Sequence, residues 1–196
     1  AGSDANSGKM KAVLNEAGTH YILNGSKMWI TNGEIANFFT VFAKEEIKTE
    51  AGETKDKITA FIVTRDMGVK SGTEEKKLGI CSSSTTALFF EDIEVPFENV
   101  IGENGKGFKI AMEVLNSGRV GLAAGTIGAS KNALQSIIGH VTQRKQFNQK
   151  LSEFELIQKK ISQIAINIFA VESMVYLTTG LIDSGKSDYS LESAMS

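Results

Sequence analysis

Trp29-Ile30-Thr31-Asn32-Gly33 is the stretch on which the reading of this chain turns. It closes an alternating run that begins at Tyr21 and is rich in β-branched and aromatic residues, with an Asn-Gly turn signal behind it. The spacing predicts a strand ending near Thr31. The chain's single tryptophan therefore stands beside a hydroxyl residue at a strand end, where sheets present side chains to ligands. A core tryptophan followed by a plain hairpin turn would produce the same five residues.

Around that stretch, residues 1–102 read as short strands and turns. Phe38 to Ala43 has the character of a strand buried on both faces, whereas Lys57 to Arg65 alternates polar and apolar. Thr85 to Glu91 is a further strand, and the polar segment Glu45 to Asp56 reads as an exposed hairpin loop. Gly18, Gly52, Gly68 and Gly72 punctuate the run. This spacing predicts an antiparallel β-sandwich or barrel.

The only proline, Pro96, marks a hinge, and beyond it the period becomes helical. Residues 103–196 are predicted to form part of a helical bundle, giving an α+β chain of two domains. Phe108, Met112, Leu115, Leu122, Ala123, Ile127, Leu134, Ile137, Ile138 and Val141 fit one or two long helical faces. Phe154, Ile157, Ile161, Ile164, Ile168, Val171, Val175, Thr178 and Ile182 step by three and four along a second helix. Ala165, Phe169, Met174, Leu177 and Leu181 add a second apolar stripe. Ser152 and Glu155 have capping-box spacing, Gly185 is a C-terminal stop, and a third helix begins near Asp188.

Two long antiparallel helices and a stub do not close a four-helix bundle. Each exposed core Leu, Ile or Phe forgoes roughly 1.5–3 kcal/mol of burial. Several together exceed the about 5–15 kcal/mol that holds a domain folded. The reading therefore expects further chain, a dimer partner, or both, to cover this surface. The opening Ala1-Gly2-Ser3-Asp4, without Met, suggests a cut piece.

Composition narrows the function. A net charge of −2 gives no electrostatic case for nucleic acid or an anionic membrane. Cys81 alone excludes an internal disulfide and favours a reducing compartment. His20 and His140 lie far apart, so neither a metal site nor a Ser-His-Asp set is indicated. The apolar run Val120 to Ala129 is too short and too Gly-rich to span a bilayer. No targeting segment is seen.

Three motifs carry possible chemistry. Gly102-Glu103-Asn104-Gly105-Lys106-Gly107 could cradle a phosphate, but its spacing fits a turn and helix start better. Asn116-Ser117-Gly118-Arg119 interrupts a helix pattern with poor helix formers; a missing side chain beside a cation suits a slot for a passing ligand chain. Close helix packing accounts for Gly125 and Gly128. Arg144-Lys145-Gln146-Phe147-Asn148 is a basic, aromatic loop, either merely solvated or able to grip a pyrophosphate.

Taken together and in order, these motifs resemble the acyl-CoA dehydrogenase family, from its middle β domain into its C-terminal helical domain. Ala1-Gly2-Ser3-Asp4 is similar to the end of the family's Gly-Ala-Gly-Ser-Asp loop, and Trp29 to Gly33 to its flavin-contacting strand. Val95-Pro96 with Asn99-Val100, then Gly107-Phe108-Lys109, then Arg144 to Phe147 follow in the family's sequence. Asn116 to Arg119 and the second long helix look most like the very-long-chain branch.

The resemblance implies FAD as cofactor, a fatty acyl-CoA as substrate and oxidation to the trans-2-enoyl thioester. It implies that the Thr31 hydroxyl meets flavin N5, that Trp29 packs on the ring with Ile30 beside it, and that Ser3 touches both flavin and acyl-CoA. It implies that Asn116, Ser117, Gly118 and Arg119 line the acyl-CoA site, and that Arg144 and Phe147 serve the FAD of a neighbouring subunit. An electron-transferring flavoprotein, a homodimer or dimer of dimers, and a mitochondrial location follow by the same analogy. Three departures stand out. Gly118 occupies the position where some members carry the catalytic base; others place that glutamate further on, beyond this chain. Asn148 replaces a usual Gly, and Glu155 replaces a flavin-contacting Gln. A non-catalytic assembly factor, an acyl-CoA oxidase and a ligand-free interaction module are the rival readings.

Overall fold

The computed structural model describes residues 4–48, 52–185 and 188–196. Two compact units divide the chain, Ala1–Ala111 and Met112–Ser196. The first is built on β1 (Lys11–Leu14), β2 (His20–Thr31), β3 (Phe38–Lys48), β4 (Thr54–Thr64), β5 (Lys70–Ser71), β6 (Thr85–Pro96) and β7 (Val100–Ile101). These form one sheet in the order β5-β6-β2-β1-β3-β4-β7.

All neighbouring pairs are antiparallel except β1 with β3, which meet in parallel at Lys11 and Lys44. In place of the expected antiparallel sandwich or barrel, the described residues form one open sheet with a single parallel pairing. The edge strands β5 and β7 are two residues each, too short to pair around and close it.

Inside the sheet unit, Leu23, Phe61, Val63, Leu88, Phe90 and Val95 are almost wholly buried. Tyr21 packs edge-on to Phe61 at 5.0 Å and stacks on Phe97 at 6.0 Å. Its hydroxyl meets Asn104 and the buried Glu45, and burial first, then Glu45, pushes the phenol's pKa up. Two strand expectations exchange places. β3 alternates, with Phe38 74% exposed and Phe39 buried, while β4 is buried on both faces from Ile58 to Phe61. Nor is Glu45 to Asp56 simply a loop: Glu45 to Lys48 pairs with Thr54 to Lys57 as hairpin arms.

The Gly102–Gly107 segment docks on this sheet as a turn. Gly105 donates its amide to Thr59 Oγ1 at 2.7 Å, so that amide is spent on the protein rather than on a phosphate. Helix α1 (Gly107–Gln143) then begins hard against β4.

The second unit holds most of α1, the hairpin β8 (Lys145–Gln146) and β9 (Gln149–Lys150), then α2 (Glu155–Asp183) and α3 (Ser190–Met195). Ala123 and Ile127 of α1 pack on Val175 and Val171 of α2, and Lys131 pairs with Glu172, so the two helices run antiparallel. The Ser152–Glu155 capping box does not form. Leu151–Glu153 winds into a 3-10 turn, α2 starts from Phe154 without a side-chain cap, and Gln158 donates to the Ser152 carbonyl at 2.9 Å. Gly185 does close α2, its amide returning to the Ile182 carbonyl at 2.9 Å. Asp188 receives the Ser190 amide and hydroxyl at the head of α3.

Of the two stripes on α2, the first lies against its neighbours while Phe169 and Leu177 of the second stay 73% and 64% exposed. By length and composition α2 is apolar enough to cross a membrane, although polar residues interrupt its apolar stretches. Close packing at Gly125 and Gly128 is also corrected: among the described residues, a Cβ placed there meets nothing within 4 Å beyond its own turn of helix.

At Gly107 the opposite holds. A Cβ would stand 2.7 Å from the Ala60 nitrogen and the Thr59 carbonyl carbon, and neither backbone atom can give way. Gly107→Ala is expected to cost about 1–3 kcal/mol of unfolding free energy. Gly128→Ala, at an open helical position, is expected to gain about 0.5–1 kcal/mol. Urea denaturation of the two variants checks both signs.

Candidate functional site

A β-bulge shapes the end of β2. Lys27 faces Leu88 and Ile30 faces Thr86, so Met28 and Trp29 together oppose Ala87 alone. Trp29 takes the left-handed backbone, φ 61°, and its indole stands 68% exposed. A bulky side chain at positive φ is strained, and bulges re-aim side chains out of the ladder. Thr31 pairs with Thr85 at the strand's last rung and is exposed, while Ile30 between them is half-buried on the core.

The turn that follows is held from several sides. Asn32, also left-handed at φ 62°, donates its amide to the Ser84 carbonyl at 2.9 Å and accepts the Ala36 amide at 2.8 Å. Gly33 is there for closeness: a Cβ would run into the Thr86 hydroxyl and lie 3.0 Å from the Ile30 carbonyl oxygen. That hydroxyl is buried and has no hydrogen-bond partner. Across the turn, Ser84 and the Thr85 amide donate to Glu74 and hold its carboxyl below the usual range.

A cleft opens beside Thr31 for a topological reason. β1 pairs with β2 only from Tyr21 to Asn24, so beyond Lys27 no strand lies on that edge among the described residues. The gap, about 320 Å³, is lined by Lys27, Ile30, Thr31, Phe38, Thr40 and Phe42 among others. Lys27 bridges it, its ammonium donating to the Phe42 carbonyl at 2.6 Å, and burial pushes its pKa down. Thr31 brings a hydroxyl to this cleft, and most of its lining is apolar and aromatic, a chemistry suited to a flat heteroaromatic ring.

In the second unit, Arg144 and Phe147 sit at a tight hairpin. Phe147 and Asn148 have φ 51° and 63°, which is the two-residue turn requiring positive φ at both central positions. That accounts for Asn148: Asn tolerates this backbone better than most other side chains. Phe147 is 90% exposed and meets Phe154 edge-on at 6.4 Å. Arg144 is exposed, and its carbonyl accepts the Leu151 amide at 2.9 Å. Glu155, in the first turn of α2, is exposed.

The Asn116–Arg119 group is only partly gathered. Asn116 and Ser117 line a cleft of about 530 Å³ with Glu113, Val114, Asp188 and Tyr189. Ser193 donates to the Asn116 carbonyl at 2.7 Å, and the Ser117 and Tyr189 hydroxyls lie 3.3 Å apart. Arg119 folds back on its own helix to Asn116 Oδ1 at 2.7 Å, and Gly118 faces open space. Ser3 lies outside the described residues. Sequence reasoning missed Lys27, Arg65 and Tyr189. Lys27 had one available signal, as the single lysine or arginine of strand β2.

Two family descriptions match the chain: "Acyl-CoA dehydrogenase, middle domain" over residues 1–93 and "Acyl-CoA dehydrogenase, C-terminal domain" over residues 105–196. A mitochondrial very long-chain specific acyl-CoA dehydrogenase from Bos taurus is 45% identical across 100% of this chain, which spans 30% of that relative. The structure of butyryl-CoA dehydrogenase from Megasphaera elsdenii superposes with a TM-score of 0.86 at 39% identity, covering 100% of this chain and 50% of that one. An acyl-CoA dehydrogenase from Bacillus anthracis, solved in complex with FAD, superposes with a TM-score of 0.81 at 45% identity, over 98% of this chain and 32% of that one.

The strain at Trp29 is measurable. The left-handed region costs an L-residue about 1–2 kcal/mol, against about 0.5–1 kcal/mol for the freedom of a glycine. With little burial to lose, Trp29→Gly is expected to leave unliganded stability within about 1 kcal/mol of the parent. Trp29→Val, β-branched at positive φ, is expected to lose about 1–3 kcal/mol. Chemical denaturation of the ligand-free protein distinguishes them.

Proposed function

The chain belongs to the acyl-CoA dehydrogenase family, and from that premise we propose that it forms the flavin-binding and acyl-CoA-binding part of an FAD-dependent dehydrogenase acting on long or very long chain fatty acyl-CoA. The reaction is α,β-dehydrogenation of the thioester, the first oxidative step of fatty-acid β-oxidation. The observation that carries this reading is Trp29, held in a strained backbone with its indole in solvent, two residues before the Thr31 that lines the cleft. An aromatic that contributes so little to the core at such a backbone cost is explained by a ligand.

The residues fit FAD. Bound there, FAD would supply the hydride acceptor for the substrate's β-carbon. Trp29 would cover one face of the ring and exclude water, with Ile30 behind it, and the Thr31 hydroxyl would donate a hydrogen bond at N5. Arg144 would pair with the pyrophosphate oxygens, where a guanidinium makes two parallel bonds, and Phe147 would add apolar cover. These two residues would serve the FAD of a neighbouring copy, so the proposal includes a homodimer or dimer of dimers. The uncovered Phe169, Tyr176 and Leu177 on α2 support a helical bundle completed by further chain or a partner copy. Functionally, the flavin strand belongs to a β domain ending at residue 102 and the acyl-CoA slot to the helical domain after it.

Ser3, Asn116, Ser117, Gly118 and Arg119 would hold the acyl-CoA. Gly118 has no side chain to remove the substrate's α-proton, so the base is proposed to be a glutamate outside these 196 residues. An electron-transferring flavoprotein is the proposed acceptor of the electrons. The mitochondrion is proposed after the bovine relative. Long chains are proposed because that relative is a very long-chain enzyme at 45% identity, against 39% for the butyryl-CoA enzyme.

Three outcomes test this. The full-length protein is expected to purify yellow, with a flavin absorption spectrum. Arg144→Ala is expected to weaken FAD binding about 10- to 100-fold, the worth of a charged hydrogen-bonded contact, read by flavin release on dilution. The 196-residue chain by itself is expected to show no FAD-linked oxidation of palmitoyl-CoA, since a missing base costs about 10²–10⁴ in rate. Robust turnover would refute the outside base.

A further inference from the structure

The turn after Thr31 is clasped by a residue from another strand. Arg65 leaves the end of β4 half-buried, and its guanidinium donates in three directions. Nη2 donates to the Gly33 carbonyl, Nε to the Ala36 carbonyl at 2.8 Å, and Nη1 to Ser71 Oγ at 3.0 Å. Ser71 in turn donates its own hydroxyl to the same Gly33 carbonyl at 2.9 Å. The guanidinium carbon lies 5.2 Å from the centre of the Phe39 ring, a cation–π contact that holds its plane. The Arg65 amide completes the clasp by donating to the Asn37 carbonyl at 2.9 Å.

This is a large investment of polar contacts in a six-residue turn, and the turn needs it. Among the described residues, β2 has a strand on only one edge from Lys27 onward, and a bulge loosens the ladder just before Ile30. The last rung, Thr31 with Thr85, is therefore free to tilt unless the chain beyond it is fixed. Gly33 is two residues past Thr31, and its carbonyl is the point that both Arg65 and Ser71 grip. A planar, always-charged fork with fixed donor angles sets a direction as well as a distance, which a lysine in its place would not.

We propose that Arg65, braced by Ser71, is a positioning residue for the flavin site: by fixing the Gly33 and Ala36 carbonyls it sets the angle at which Thr31 and Trp29 meet the ring. The inference rests on the flavin reading of the preceding subsection. Its consequence is that loosening the clasp misaligns the site before it empties it.

The test uses the full-length protein loaded with FAD, comparing the parent with Arg65→Met, Arg65→Lys and Ser71→Ala. Gly107→Ala serves as a variant that loses stability away from the site. Arg65→Met is expected to keep its FAD yet shift the flavin absorption bands and midpoint potential. Its kcat with palmitoyl-CoA is expected to fall about 10- to 100-fold while KM changes by less than about threefold. Ser71→Ala should shift the bands in the same direction by less, Arg65→Lys should recover only part of the loss, and Gly107→Ala should lower Tm without moving the flavin bands. If the parent holds FAD but Arg65→Met and Ser71→Ala keep its spectrum, potential and kcat, the clasp is overturned and the flavin reading stands. If Arg65→Met fails to fold, Ser71→Ala decides: displaced bands support the clasp and unchanged bands overturn it. A parent protein without flavin overturns both.

Discussion

The pairing of β2 with β6 is the constraint from which the sheet unit takes its form. It runs from His20 against Pro96 to Thr31 against Thr85, and it buries Tyr21, Leu23, Leu88, Phe90, Ile93 and Val95 together. Because side chains alternate, such a long register leaves no freedom to choose which residues face the core. The register slips twice, where Asn24 faces Glu91 and Asp92 and again at Met28 and Trp29, and the second slip falls immediately before the final rungs at Ile30 and Thr31. The apolar ladder thus pins the strand, and the bulge converts its last turn into a display of side chains. β1, only four residues long, withholds a neighbour from that same end, and the cleft beside Thr31 is the result.

How much of this was legible in the sequence follows from the range over which each feature acts. Strand β2 and its end at Thr31 could be read because alternation and an Asn-Gly turn are local signals. The face of α2 that packs, from Ile157 to Ile182, could be read from its period for the same reason. The exchange between β3 and β4 could not. Phe38-Phe39-Thr40-Val41-Phe42-Ala43 is as apolar as a doubly buried strand, yet Phe38 and Thr40 face outward, because burial depends on what lies across the sheet. The capping box at Ser152 failed because a 3-10 turn consumed the residues that would have capped the helix.

The candidate site divides in the same way. Trp29, Thr31, Arg144 and Phe147 announce themselves as residue types in a local pattern. Arg65 does not: it ends an ordinary alternating strand, and its partners Gly33 and Ala36 lie some thirty residues back in the chain. Contacts of that separation leave no trace in spacing, and carbonyl acceptors have no residue type to betray them. Tyr189 is hidden likewise, meeting Ser117 across 72 positions. At Gly118 the sequence shows a glycine beside a cation but not the direction of that cation: Arg119 bonds along its own helix to Asn116.

Trp29 and Phe147 share a property that neither alone would make persuasive. Both are large aromatics in the left-handed backbone, and both are mostly exposed, at 68% and 90%. Burial, the usual return for a large aromatic, is nearly absent at each, while the backbone strain is present at both. Folding alone offers no reason to keep them, since Gly or Asn would take either backbone with less strain. A ligand or a partner that covers each ring changes the sign of the balance, because apolar area is then removed from water at roughly 25 cal/mol per Å². The strain also explains why the two aromatics occupy a bulge and a tight turn rather than regular strands. Those are the backbone geometries that lift a ring clear of its own sheet and hold it there, ready for a flat surface laid against it.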